Sequence, residues 1–311
     1  MPTSAARACV VLPVRDGGPR LRELLGALAV QDLPGGLEIV ALDSGSRDGS
    51  RDALATAGAR IIEVPGGSFD HGETRNLGVR AARAEVVLFL SQDAVPRDSN
   101  YARCLVDALK ADPRLVGAFA RQAPRPEADP LTRRDLARWV AAQPSRRTVV
   151  VEDPGWFDAL PPLERYELCA FDNVASAVRR EVLLRHPFAP ARFGEDIEWG
   201  QRLLRLGYGL AYVPEAVVVH SHARSARSLY RRNYLGHRTL SRLFGLRAIP
   251  DRRHLARAAL ARAAADLVLL WREGAPARLW LAAPWQALAA ALGQYRGARD
   301  ETRLAPYPDW A

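Results

Sequence analysis

Carboxylates end two of the strand-like runs in this chain. Residues 37–42 form an apolar run that stops at Asp43-Ser44-Gly45-Ser46, and residues 86–90 form another that stops at Ser91-Gln92-Asp93. Where such runs alternate with helices the sheet is mostly parallel, and ligands gather beyond the carboxyl ends of its strands. A third acidic group, Glu195-Asp196, begins a helical stretch over residues 193–206. A carboxylate there is favoured by the helix terminus and is also suited to accepting a proton. From Ser221 to Ala265 the chain holds eleven arginines (Arg224, Arg227, Arg231, Arg232, Arg238, Arg242, Arg247, Arg252, Arg253, Arg257, Arg262) against one acid, Asp251. Such a stretch seeks phosphates on nucleic acid, on lipid headgroups or on a diphosphate substrate, or forms a merely solvated basic face.

The elements that must position these residues follow from periodicity. Apolar runs at 8–14, 37–42, 59–64 and 86–90 read as strands, separated by helical spacing at Leu21, Leu24, Leu25 and Leu28, at 48–57 and at 73–83. This βαβαβαβ rhythm predicts a mostly parallel sheet with helices on both faces. Residues 123–164 read as an irregular insertion around a helix near 131–142, followed by a helix at 193–206 and a strand at 209–220. From Ser225 on, the pattern is helical, broken at Pro250, Pro276 and Pro284, with a domain boundary near residue 240.

Composition narrows the class. With 48% hydrophobic and 25% charged residues, the 311-residue chain is too apolar for a disordered protein. No apolar run approaches the roughly 20 residues that cross a bilayer, and none near the start reads as a secretory signal, so a cytoplasmic protein is expected. Cys9, Cys104 and Cys169 are too few and too scattered for a disulfide framework or a zinc cluster. Of 44 basic residues only Lys110 is a lysine, so much of the arginine content is compositional habit.

Four segments in order carry a resemblance: Val10-Val11-Leu12-Pro13-Val14-Arg15-Asp16, Asp43-Ser44-Gly45-Ser46-Arg47-Asp48-Gly49, Ser91-Gln92-Asp93-Ala94 and Gly194-Glu195-Asp196. Together they resemble glycosyltransferase family 2 over about residues 8–238. Phe69-Asp70-His71-Gly72-Glu73-Thr74-Arg75-Asn76 and Phe89-Leu90-Ser91-Gln92-Asp93-Ala94 look most like its rhamnosyltransferase branch. The resemblance implies an α/β GT-A fold, a Rossmann-like, mostly parallel mixed sheet flanked by helices. A GT-A domain would span 1–240, with its nucleotide-binding half at about 1–122 and its acceptor-binding half at about 123–240. A helical C-terminal extension would occupy 241–311.

The same resemblance implies roles. Pro13, Arg15, Asp16, Asp43, Arg75, Gln92 and Asp93 would surround the donor nucleotide, with Asp43 accepting from the imide N–H of uracil or thymine. A turn-capping role suits Ser44, Ser46 and Asp48 better than Asp43. Asp93 would ligate Mg²⁺ or Mn²⁺, as a single carboxylate where many relatives carry Asp-x-Asp, with His220, ahead of His222, as a further ligand. Asp196 would be the catalytic base. Asn173, Ser176, Glu195 and Trp199 would border the donor sugar and the acceptor, Trp199 stacking on a sugar face or simply packing.

The resulting expectation is an inverting, metal-assisted hexosyltransferase. It would move a sugar, most readily L-rhamnose from dTDP-rhamnose, to a glycan or lipid-diphosphate-linked acceptor in cell-surface polysaccharide synthesis. The arginine-rich tail would touch the anionic inner face of the membrane. The alternatives are a UDP- or GDP-sugar transferase of the same family and, from another class, a basic nucleic-acid-binding protein. The second leaves the three acids without a purpose, so no nucleic-acid partner is expected.

Overall fold

The computed structural model describes residues 7–65, 70–191, 193–303 and 307–308. Their elements, in chain order, are β1 (Ala8–Val14), α1 (Gly18–Ala29), β2 (Leu37–Asp43), α2 (Ser50–Thr56), β3 (Arg60–Glu63), α3 (His71–Ala81), β4 (Val86–Leu90), β5 (Val95–Pro96), α4 (Tyr101–Ala111) and β6 (Leu115–Ala123). There follow α5 (Pro130–Ala137), a 3-10 turn (Val140–Ala142), β7 (Arg147–Val150), α6 (Pro154–Ala159), α7 (Pro162–Cys169), β8 (Ala175–Arg179), α8 (Arg180–Arg185), α9 (Glu195–Arg205) and β9 (Gly209–Val219). Three long helices complete the chain: α10 (Ala226–Phe244), α11 (Arg252–Arg272) and α12 (Ala277–Thr302).

One sheet runs β3-β2-β1-β4-β8-β6-β9-β5, with β7 also pairing β9. The first four strands are parallel; β1 and β4 are unbroken buried runs covered on both faces, while β3 at the edge is only half-buried. The continuation departs from the parallel expectation. β8 lies antiparallel between β4 and β6, and β6 pairs β9 in parallel, so the sheet is mixed. Leu21, Leu24, Leu25 and Leu28 of α1 bury against Val10, Leu12 and Val14 of β1, in a core shared with Leu105 and Val106 of α4. On the other side α3 comes so close to β1 that a Cβ on Gly78 would lie 2.4 Å from Val11 Cγ1. Only glycine permits that approach.

The insertion at 123–164 is more regular than its composition predicts, holding α5, β7 and α6. Pro284 does not break a helix: it lies inside α12, where packing against α10 and α11 outweighs a proline cost of about 3 kcal/mol.

The chain divides into two compact units: Met1–Ala123, Trp139–Ala159 and Leu168–His220 in the first, and Pro124–Arg138, Leu160–Glu167 and Ser221–Ala311 in the second. The sequence-based boundary near 240 falls inside the continuous helix α10. In the second unit the eleven arginines do not form one basic face. Arg224 and Arg262 both pair with Asp135, and Arg238 pairs with Glu301 at 2.8 Å. Arg247, Arg252 and Arg253 line a cavity together with Arg299 and Arg303.

Candidate active site

The carboxyl ends of β1, β2 and β4 are laced together by side chains of the loops that follow them. Gln92 accepts from Arg15 N at 2.9 Å and donates to Arg15 O at 3.0 Å, joining the β4 loop to the β1 loop. Asp16 has a left-handed backbone (φ 45°), accepts from Arg47 N at 2.8 Å and donates its own N–H to Ser46 Oγ at 3.0 Å. Gly17 and Gly18 donate to Ser50 Oγ and Asp48 Oδ2. Pro13 is half-buried in β1, level with Leu42 of β2. These contacts bring Arg15, Asp16 and Gln92 together beyond the carboxyl ends of β1, β2 and β4.

Asp43 caps its own turn. Its carboxylate is buried, accepts from both the N–H and the hydroxyl of Ser46, and lies 3.9 Å from Arg51 Nε. It therefore holds the turn that Ser44, Ser46 and Asp48 seemed better placed to hold. A residue at a strand end, with its side chain turned back over the loop, reaches those donors first.

Asp93 stands beside the end of β9. His220 Nε2 is 3.6 Å from Asp93 Oδ1, while His220 Nδ1 lies 2.8 Å from Gln122 Oε1. Gln122 Nε2 in turn donates to Asp172 Oδ2, which also accepts from Trp139 Nε1 at 3.1 Å, and Asp172 Oδ1 accepts from Val174 N at 2.9 Å. The amide can face only one way, because its reverse would set oxygen against the carboxylate. Gln122 Oε1 thus accepts from Nδ1–H, which leaves Nε2 directed at Asp93. An imidazole nitrogen and a carboxylate oxygen so disposed form a donor set that fits a divalent cation. His222, two residues on, is exposed and belongs to the second unit. Gln122, Asp172 and Trp139 have no local pattern that marks them, although Asp172 adjoins the singled-out Asn173.

The chain of contacts continues to Asp196. Asn173 N, next to Asp172, donates to Asp196 Oδ2 at 3.1 Å. Surrounding protein mass pushes the Asp196 carboxyl well above the usual carboxylate range, and the nearby charges of Glu195 and Asp172 push it the same way. The residue still keeps some exposed surface at the start of α9, after Gly194 (φ 76°) has turned the chain into the helix.

Glu195 faces inward. Its Oε1 is 2.6 Å from Arg75 Nη1 and accepts from Asn173 Nδ2 at 3.2 Å, and Asn173 Oδ1 accepts from Ser176 Oγ at 2.9 Å. Arg75, Glu195, Asn173 and Ser176 are all buried, so in this structure they form an internal tie between α3, α9 and the approach to β8. Asn76 adds two bonds to the backbone of Phe188, at 2.9 and 3.1 Å. Trp199 corrects the sugar-stacking expectation outright. It has no exposed surface, packs on Phe171 and Phe188, and donates to His186 O at 2.8 Å. An amphipathic helix must bury one side, and Trp199 is on that side of α9. Phe69 lies outside the described residues.

The family model for Glycosyl transferase family 2 matches residues 9–184, more than half of the chain. The chain belongs to this family. It is 28% identical over 231 residues to the O-antigen chain rhamnosyltransferase RfbN of Salmonella typhimurium, covering 72% of this chain and 69% of the relative. It is 26% identical over 200 residues to the O-antigen chain rhamnosyltransferase WbaN of Salmonella anatum, covering 63% of this chain and 60% of the relative. In structure it resembles the mannosyltransferase PcManGT from Pyrobaculum calidifontis, solved with GDP-Man and Mn²⁺, at a TM-score of 0.60 and 20% identity, over 97% of this chain and 88% of that one. That likeness establishes the GT-A fold, and the protein is a family 2 glycosyltransferase. Asp196 and His220 lie beyond the matched stretch, so their assignment rests on geometry.

Proposed function

We propose that this glycosyltransferase moves L-rhamnose from dTDP-rhamnose, with inversion, to a hydroxyl of a lipid-diphosphate-linked glycan in cell-surface polysaccharide synthesis. The observation that carries the chemistry is the environment of Asp196. A carboxylate whose proton affinity is raised is a stronger base than an ordinary one, and it remains ionised above that raised value. In the reaction the acceptor oxygen attacks the anomeric carbon as the bond to the nucleoside diphosphate breaks, and the acceptor proton passes to Asp196. The similarity to two O-antigen rhamnosyltransferases supports the sugar and the polysaccharide acceptor.

Asp93 and His220 would hold Mn²⁺ or Mg²⁺. One carboxylate with imidazole favours the former over the oxygen-seeking latter. Such an ion supplies Lewis-acid neutralisation of the leaving diphosphate. Asp43 keeps acceptor capacity beyond the bonds from Ser46 and is assigned to the imide N–H of the base.

Two measurements test this. In a thermal-shift panel of nucleotide sugars with Mn²⁺ or EDTA, dTDP-rhamnose should give the largest shift, and indifference to every nucleotide sugar would sink the proposal. Gln122→Leu removes the acceptor that orients His220. Mn²⁺ affinity by titration calorimetry should then fall about 10–100-fold, and an unchanged affinity would remove Gln122 from that role.

A further inference from the structure

Helices α11 and α12 bury a small apolar cluster around Leu270 and Ala283, yet leave six large apolar side chains exposed to solvent. On α11, Leu260, Val268 and Trp271 are 72%, 49% and 73% exposed, and on α12, Leu281, Trp285 and Leu288 are 75%, 68% and 42% exposed. Those six are more than half of the large hydrophobic side chains exposed among the described residues. Their spacing of three, four or eight residues keeps each set along one side of its helix. The opposite side of α11 carries charge inward: Asp266 is fully buried, 2.6 Å from Arg134 and 3.2 Å from Arg262. A helix that faces water has the reverse arrangement, and an exposed apolar face of this extent marks an interaction surface.

The charges around the face indicate what covers it. Arg257, Arg272 and Arg278 are exposed on the same stretch, and none engages a carboxylate among the described residues. The acids of these helices are turned elsewhere: Asp266 is buried, Asp300 accepts from Tyr234, and Glu301 accepts from Arg238. Apolar side chains fringed by unpaired arginines, with tryptophan at two positions, complement an anionic lipid surface, where aromatic rings settle among headgroups and guanidinium groups meet phosphates. Neither helix is long and apolar enough to cross a membrane.

The geometry points to the α11–α12 hairpin as a docking face that lies flat on an anionic membrane, burying Trp271, Leu281 and Trp285 at the headgroup level. The inference rests on the lipid-linked acceptor proposed above, and names the surface that carries the enzyme to it. It differs from attraction by a basic helix alone, because apolar burial survives salt that screens charge.

Flotation of the full chain tests it, with vesicles of phosphatidylcholine alone and of phosphatidylcholine mixed with phosphatidylglycerol, at low and high salt. The protein should float with the anionic vesicles, retain part of that binding at high salt, and show blue-shifted tryptophan emission when bound. Trp271→Ser/Trp285→Ser should lower the bound fraction about tenfold or more, and Arg257→Gln/Arg272→Gln/Arg278→Gln should abolish the preference for anionic lipid. The thermal shift by nucleotide sugar should stay unchanged in both variants, which separates a failure of docking from a failure of the transferase reading. If a tryptophan variant does not fold, flotation and emission of the unaltered protein still decide. Absence of flotation, or equal binding to neutral vesicles, overturns the inference. So does a dimer that Trp271→Ser/Trp285→Ser converts to monomer without any vesicle binding, since the face would then belong to a second copy.

Discussion

Replacing Asp196 by Asn should lower the transfer rate by about 10²–10⁴-fold, the range expected for loss of a general base, and should at the same time raise the melting temperature. The two effects have one cause. Burial and the neighbouring Glu195 and Asp172 raise the proton affinity of this carboxyl in the folded protein. The folded state therefore holds the proton more tightly than the unfolded chain does, and the stability from that preference is complete below the unfolded value near 4 and lost as pH rises through the folded one. Above that folded value the wild-type protein carries an ionised Asp196 at a cost that Asn does not incur. Asn can still accept from Asn173 N, so the start of α9 keeps its tie. The gain in melting temperature should shrink as the solution is acidified. The acid limb of the wild-type rate profile, set by protonation of this base, should lie above the ordinary carboxylate range and be missing from the variant. Calorimetry across pH together with initial rates checks both. A variant that transfers sugar normally would show that another group takes the proton.

Arg75→Leu should destabilise the protein by about 3–5 kcal/mol, because it leaves Glu195 buried without its partner. The pair is 2.6 Å apart with side-chain exposures of only 8% and 5%. Its attraction does little more than offset the desolvation of two charges, whereas breaking it strands one of them. Arg75→Leu/Glu195→Leu should therefore recover much of the loss, although Asn173 Nδ2 also loses its acceptor. Denaturant unfolding of the two single variants and the double gives the coupling. Additive losses would mean that the pair is not a closed ion pair in solution. Should Arg75→Leu fold with full stability and lose only donor binding, the arginine would serve the nucleotide and not the interior.

The residues differ in how plainly the chain announced them. Strands β1, β2 and β4 were legible because a parallel strand covered on both faces must be an unbroken apolar run. The loop acids Asp43 and Asp93 follow from where those runs stop. The start of α9 at Glu195-Asp196 was legible for the same local reason, acids before a helical period. Orientation was a different matter. Glu195 and Asp196 are adjacent, yet one joins a buried ion pair with Arg75 and the other accepts from the backbone of Asn173 and keeps part of its surface exposed. Trp199 reads equally well as a sugar platform or a core residue until α9 is seen to bury that side.

Helical periodicity, apolar runs and turn residues act over short stretches, so the sequence by itself determined the alternation of strand and helix up to β4, the ends of those strands and the family. Partners act across the fold. Asp172 meets Gln122 only because β8 inserts antiparallel between β4 and β6, and His220 meets Gln122 only because β9 pairs with β6. The arginine run looked like one basic surface, but helical rotation turned some of its members toward Asp135 and Glu301 and left others outside. Which charges are neutralised, which carboxylate keeps a raised proton affinity and which apolar side chains stay uncovered depend on neighbours distant in the chain. Only the tertiary structure could decide them.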